Sequence, residues 1–163
     1  MIYVLYGQPG SGKTTLGKLL AERNDTPFII DGDEFREMFT NKNYGKEGRE
    51  ENIRNANAVA TYLTKLDWLC PPVIMSLVNP YKHLRDELRE NNKDQVIEVL
   101  LKSDRELRKE YHVEDFEVGN PEYIMDTDQE VEDGWNQLKS LLNNPPGQAY
   151  LNAWENEGGR QCE

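Results

Sequence analysis

The stretch "GQPGSGKTT", Gly7 to Thr15, carries a phosphate-binding spacing: G-x-x-x-x-G-K-[ST] fits Gly7, Gly12, Lys13 and Thr14. The spacing has a chemical reason. Glycines let successive backbone N–H groups turn inward around a β-phosphate, and the helix that follows adds the positive end of its dipole. Pro9, Gly10, Ser11 and Thr15 complete that cradle. Lys13 reaches toward the β- and γ-phosphates, and the Thr14 hydroxyl is placed to ligate Mg²⁺. A chance match in a chain of this length is roughly a one-per-cent event. The expected donor is ATP with Mg²⁺.

A second set of groups follows the next apolar run. "FIIDGDEFREMF" puts Asp31 and Asp33 just past it, with Gly32 allowing a tight turn between them. One carboxylate can hold Mg²⁺ and the other can accept a proton from an attacking hydroxyl. Either could instead cap the short helix that begins there. Glu34 starts that helix and is expected to point elsewhere. Arg36, on the same helix, is either a solvated cation or a contact for phosphate or sulfate. No apolar strand ends in the aspartate of an ordinary Walker B; "VIMSLV" carries Ser76 instead. That pattern favours small kinases, where the second-strand acid takes over, above motor or GTPase types.

The third set is "YGKEGREENIRN", Tyr44 to Asn55, which gathers cations and amides in a chain of net charge −11. Arg49 sits at a helix start, the unfavourable end for a cation, and an anionic ligand would explain that placement. Arg54 lies four residues after Glu50 and three after Glu51, the spacing of surface ion pairs. His83 and His112 show no metal spacing and read as surface residues. The run "LRDELR" reads mostly as a solvated helix face, with Lys82 and Arg85 able to border the pocket.

These groups need a frame. Short, nearly continuous apolar runs occur at residues 2–6, 28–30, 73–78, 96–101 and 123–125, as in strands buried on both faces. Helical stripes lie between them: Leu16, Leu19 and Leu20; Ile53, Ala56, Ala60 and Leu63; Leu84 and Leu88; Val131, Trp135, Leu138 and Leu142. The alternation predicts a five-stranded parallel sheet between two helical layers, with ligands at the carboxyl ends of the strands. Residues 1–142 are expected to form one domain. Residues 143–163 form a tail in which Tyr150, Leu151 and Trp154 could dock as one amphipathic turn. The acidic balance argues against a general nucleic-acid binder. No run approaches the ~18 apolar residues of a membrane span, and no secretory signal opens the chain. Cys70 and Cys162 read as reduced thiols of a cytoplasmic protein.

Beyond the phosphate loop, the sequence resembles the adenylylsulfate kinase family. Its D-G-D-x-x-R pattern matches Asp31, Gly32, Asp33 and Arg36, and its aromatic–x₄–Arg–x–Glu–Asn–Ile–Arg pattern matches Tyr44, Arg49, Glu51, Asn52, Ile53 and Arg54. A third-strand segment, Ser-Phe-Ile-Ser-Pro-[Tyr/Phe]-Arg, is similar to Ser76 through Lys82, and a later Tyr-Glu, Pro-Glu, Asp-Thr series is similar to Phe116, Glu117, Pro121, Glu122, Asp126 and Thr127. The resemblance implies an adenylate-kinase-like P-loop kinase of three αβα layers. It implies transfer of the γ-phosphoryl of magnesium ATP to the 3′-hydroxyl of adenylyl sulfate, and it admits a homodimer. By carry-over, Arg36, Arg49 and Asn52 would hold the acceptor, with Ser76 and Lys82 beside it and Tyr44 as a stacking platform. Asp33 would orient or deprotonate the hydroxyl, and Asp31 would lie nearer Mg²⁺.

The chain departs from the family pattern in four places. Gly48 replaces an Asp, Asn79 a Ser and Lys82 an Arg. The fourth is a lid: from Arg108 the chain runs through "KEYHVEDFE" without a Lys-Gly-Leu-Tyr or Phe-Thr-Gly signature, shorter by about fifteen to twenty residues. Arg105, Arg108 or Tyr111 could flank the ATP base in its place. Two other readings stay open: a P-loop kinase of another acceptor, such as a polynucleotide 5′-end or a modified nucleotide or base, and a catalytically weak ATP-binding regulator.

Overall fold

The computed structural model describes residues 1–66, 71–105 and 109–143, apart from the side chain of Asp94. Five strands form one all-parallel sheet: β1 (Ile2–Tyr6), β2 (Ile29–Asp31), β3 (Val73–Leu77), β4 (Val96–Lys102) and β5 (Tyr123–Asp126), in the order β2-β3-β1-β4-β5. The expected strands are all present, with no end moved by more than one residue. The shift that matters is at β2, which runs on to Asp31. β1 is central, hydrogen-bonded to β3 on one side and β4 on the other.

The two-residue period of β1 divides the core. Ile2, Val4 and Tyr6 pack under α3 (Lys46–Thr64) and α4 (Lys82–Asn92), against Ile53, Ala56, Ala60, Leu84 and Leu88. Leu5 faces the other way, toward α1 (Lys13–Arg23) and α5 (Val131–Asn143), where Leu16, Leu138, Val99 and Met125 enclose it. The layers are therefore α1/α5, sheet, α3/α4. α2 (Gly32–Met38) leaves the end of β2 and inserts Phe35 into the α3 side. Val131 departs from its predicted stripe: at the first position of α5 it is exposed, beyond the reach of the sheet.

α4 corrects the sequence reading most. Arg85 is 1% exposed. Its guanidinium lies over the Tyr6 ring, 4.3 Å from the centroid, and pairs with the buried Glu98 of β4 at 3.3 Å. It also donates to the carbonyls of Asn79 and Glu117 at 2.6 Å each. Burial pushes the Tyr6 phenol up to about 12, so it stays protonated and donates to the Val118 carbonyl. This knot fastens the chain segments after β3 and β4 to the end of β1. Cys70, Arg108, Tyr150, Leu151, Trp154 and Cys162 lie outside the described residues. Among the described residues no helix is long and apolar enough to cross a membrane.

Candidate active site

A cleft of about 1180 Å³ opens along the carboxyl ends of β1, β2 and β3. One wall is the loop between β1 and α1. Gly10 and Gly12 take φ of 86° and 84°, values that L side chains rarely adopt, so the loop can turn its amides inward. Lys13 is buried and donates to the carbonyls of Gly7 at 3.0 Å and Gln8 at 2.7 Å. Thr127, at the end of β5, donates from its hydroxyl to the Ser11 carbonyl at 3.0 Å. The loop is thus braced from below by its own lysine and from the side by the last strand.

Asp31 takes the capping role weighed from sequence and also meets Thr14. Its Oδ1 accepts from the amide of Asp33 at 3.0 Å, capping α2, while its Oδ2 accepts from the Thr14 hydroxyl at 2.7 Å. A hydroxyl and a carboxylate so paired fit Mg²⁺, which takes one or two protein ligands and completes its octahedron with phosphate oxygens and water. Asp33 and Glu34 are both exposed and both line the cleft, so Glu34 does not turn away as expected.

The other wall comes from α2, α3 and the loop between them. Arg36 is buried, and burial pushes its guanidinium below the ordinary value. It lies 4.5 Å from the Tyr44 ring centroid and donates to the Asn43 carbonyl at 2.8 Å. Tyr44 meets Tyr111, with ring centroids 5.1 Å apart, and Arg49 donates to the Tyr111 carbonyl at 3.2 Å. Asn52 is buried; its Nδ2 donates to the Gly32 carbonyl at 3.1 Å, linking α3 to the start of α2. Asn41, which the sequence reading missed, joins all three elements of this wall. Its Oδ1 accepts from Arg36 at 3.3 Å and from the Asn43 amide at 3.0 Å, and its Nδ2 donates to the Gly48 carbonyl at 2.8 Å. A Cβ at Gly48 would fall 2.0 Å from the Asn43 oxygen, so the loop rests directly on the backbone of α3.

Arg36, Tyr44, Arg49 and Asn52 therefore share one cleft with the phosphate loop, Asp31 and Asp33. Ser76 lines it too, but is 3% exposed and its hydroxyl donates to the Lys13 carbonyl at 3.1 Å, holding α1 rather than reaching outward. Lys82 is not brought in: it is exposed, outside the cleft lining, and paired with Asp86 one turn on. Arg54 pairs with Glu50 at 3.2 Å, the surface alternative. His83 and His112 are exposed, as expected. The lining is mixed rather than basic, since Glu34, Glu37 and Glu110 stand among the cations.

The short connection between β4 and β5 is docked. The Gln8 carboxamide donates from Nε2 to the Val113 carbonyl at 2.8 Å and accepts the Val113 amide on Oε1 at 3.0 Å. This two-point clamp ties the connection to the phosphate loop and brings Tyr111 into the cleft lining beside Tyr44. Arg105, by contrast, stays outside the cleft lining, held by Ser103, Asp128 and the Thr127 carbonyl.

A parallel sheet in this strand order, a glycine nest after the central strand and an acid beside its Ser/Thr define an ATP-dependent P-loop kinase. Solved structures agree on the fold. The APS kinase of Mycobacterium tuberculosis, in complex with AMPPNP and APS, is 19% identical with a TM-score of 0.72, over 88% of this chain and 97% of that one. A gluconokinase from Sinorhizobium meliloti is 19% identical with a TM-score of 0.57, over 86% and 94%. A shikimate kinase from Acinetobacter baumannii, in complex with shikimate, is 23% identical with a TM-score of 0.55, over 90% and 95%. No curated protein matches the chain. The narrower assignment comes from sequence: the adenylylsulphate kinase family model matches residues 1–116, and the chain belongs to that family.

Proposed function

We propose that this protein transfers the γ-phosphoryl group of magnesium ATP to the 3′-hydroxyl of adenylyl sulfate, giving 3′-phosphoadenylyl sulfate. The observation that carries the reading is one cleft holding both the phosphate loop and the cluster of Arg36, Tyr44, Arg49 and Asn52. Family membership supports the same acceptor.

The loop amides and Lys13 hold the β- and γ-phosphates of ATP and balance charge that gathers on the leaving oxygen. Thr14 and Asp31 would hold Mg²⁺, which when bound neutralises the phosphate oxygens. Arg36 and Arg49 hold the acceptor's phosphosulfate, and Tyr44 packs on its base. The 3′-oxygen attacks the γ-phosphorus, the bond from that phosphorus to the β–γ bridging oxygen breaks, and the hydroxyl proton passes to the Asp33 carboxylate. Transfer of this kind depends mostly on placement and charge, which the shared cleft supplies.

The test is a steady-state assay of the purified chain with magnesium ATP and adenylyl sulfate, single-stranded oligonucleotide with a 5′-hydroxyl, or no acceptor. Turnover with adenylyl sulfate is expected. Turnover only with the oligonucleotide would sink the reading; tight ATP binding without turnover would point to a regulator instead.

A further inference from the structure

Gln8 is the second residue of the phosphate loop, yet it lies outside the cleft lining. What it gives the phosphate side is backbone: its carbonyl accepts from the Lys13 ammonium at 2.7 Å and from the Ser11 amide at 3.2 Å. Its carboxamide turns instead to the connection between β4 and β5, donating to the Val113 carbonyl and accepting the Val113 amide. Two opposed hydrogen bonds fix direction as well as distance. Among residues 109–115 Val113 alone is buried, at 2% exposed. Tyr111 stands two residues earlier, within about 7 Å along the chain. Its ring meets Tyr44 and its carbonyl accepts from Arg49. Residues 116 and 117 are held by other means: Phe116 stacks on Tyr6, the Glu117 amide donates to the Pro80 carbonyl at 2.8 Å, and the Glu117 carbonyl accepts from Arg85. The Gln8 carboxamide therefore governs the placement of residues 109–113 and little else.

We propose that Gln8 is a positioning residue for the acceptor. From inside the phosphate loop its carboxamide holds Tyr111 against Tyr44 and within reach of Arg49. The inference rests on the acceptor reading above, in which Tyr44 packs on the base and Arg49 holds the phosphosulfate, and adds what keeps those two in place. A side chain rooted in the donor loop thereby sets the geometry of the acceptor side. Such a link matters in a reaction that depends on the placement of two substrates relative to each other.

Calorimetric titration of the full chain, saturated with magnesium ADP, with adenylyl sulfate tests this. Gln8→Met keeps the length of the side chain and removes both hydrogen bonds. It should bind adenylyl sulfate about 3- to 10-fold more weakly, and magnesium ADP within about two-fold of the unaltered protein. A loosened phosphate loop would weaken magnesium ADP as well. Tyr111→Ala should weaken adenylyl sulfate by a comparable factor. The double variant Gln8→Met/Tyr111→Ala should fall short of the product of the two single effects by about two-fold or more, because both act through one residue. Unchanged affinity for adenylyl sulfate in Gln8→Met, an equal loss for magnesium ADP, or effects that simply multiply in the double variant overturns the proposal. Turnover on the same preparations separates it from the proposed reaction. Turnover with unchanged affinity in Gln8→Met leaves the reaction standing and removes the role of Gln8. The expected pattern of affinities without turnover does the reverse, and no binding of adenylyl sulfate to the unaltered protein overturns both.

Discussion

The two walls of the cleft are held by different means. The donor wall is backbone: a nest of amides shaped by Gly10 and Gly12, braced by Lys13 and by Thr127. The opposite wall, the proposed acceptor side, is side chain. Arg36, Asn41, Tyr44, Arg49 and Tyr111 hold one another through a hydrogen-bonded and stacked series that spans two helices and two loops. A backbone nest has few ways to change while still binding phosphate. A side-chain series can be retuned one residue at a time, so specificity is free to vary where the donor chemistry is not.

That contrast can be broken or sharpened by substitution. Lys13→Ala should act on the donor wall alone, lowering kcat by about a thousandfold or more with the fold retained; kcat and circular dichroism together check it. Arg49→Ala should raise the KM for adenylyl sulfate about 10- to 100-fold, as expected for a lost charge-assisted contact, with the KM for ATP within about two-fold. Equal effects on both substrates would erase the distinction between the walls. Tyr111→Ala removes only the ring that meets Tyr44, and the acceptor KM should rise about 2- to 10-fold. Lys82→Ala should leave both KM values within about two-fold, since its exposed pair with Asp86 contributes little.

How far each wall was legible from sequence follows the same division. The glycine spacing of a nest is local, so Gly7 to Thr15 could be read directly. The five strands were visible because apolar runs buried on both faces need no partner to be recognised. Asp31 was found, with capping and a functional role weighed as alternatives; that one carboxylate faces both the start of α2 and Thr14 is a matter of geometry that the letters do not carry. Gln8 was missed because its partner is the backbone of Val113, 105 residues away, and Asn41 because its partners are spread over α2, the following loop and α3. Lys82 and Arg85 were both read as able to border the pocket from a mostly solvated helix face. The signals that separate them were present: Arg85 is three residues before Leu88 and so shares its buried face, and Glu98 interrupts an otherwise apolar strand. A buried carboxylate demands a cation. What the letters lacked was the crossing of α4 over β4 that brings the two to 3.3 Å.

The contact at Gly48 has a bearing on how this chain could change over generations. The family pattern carries Asp there, and restoring it looks like the obvious first step toward the common form. The Asn43 oxygen already occupies the place that any Cβ would take. Gly48→Asp alone would drive the loop of residues 41–45 off α3 and, through Asn41, disturb Arg36. The glycine and the loop conformation therefore depend on each other, and a side chain at position 48 is admissible only once the loop has moved.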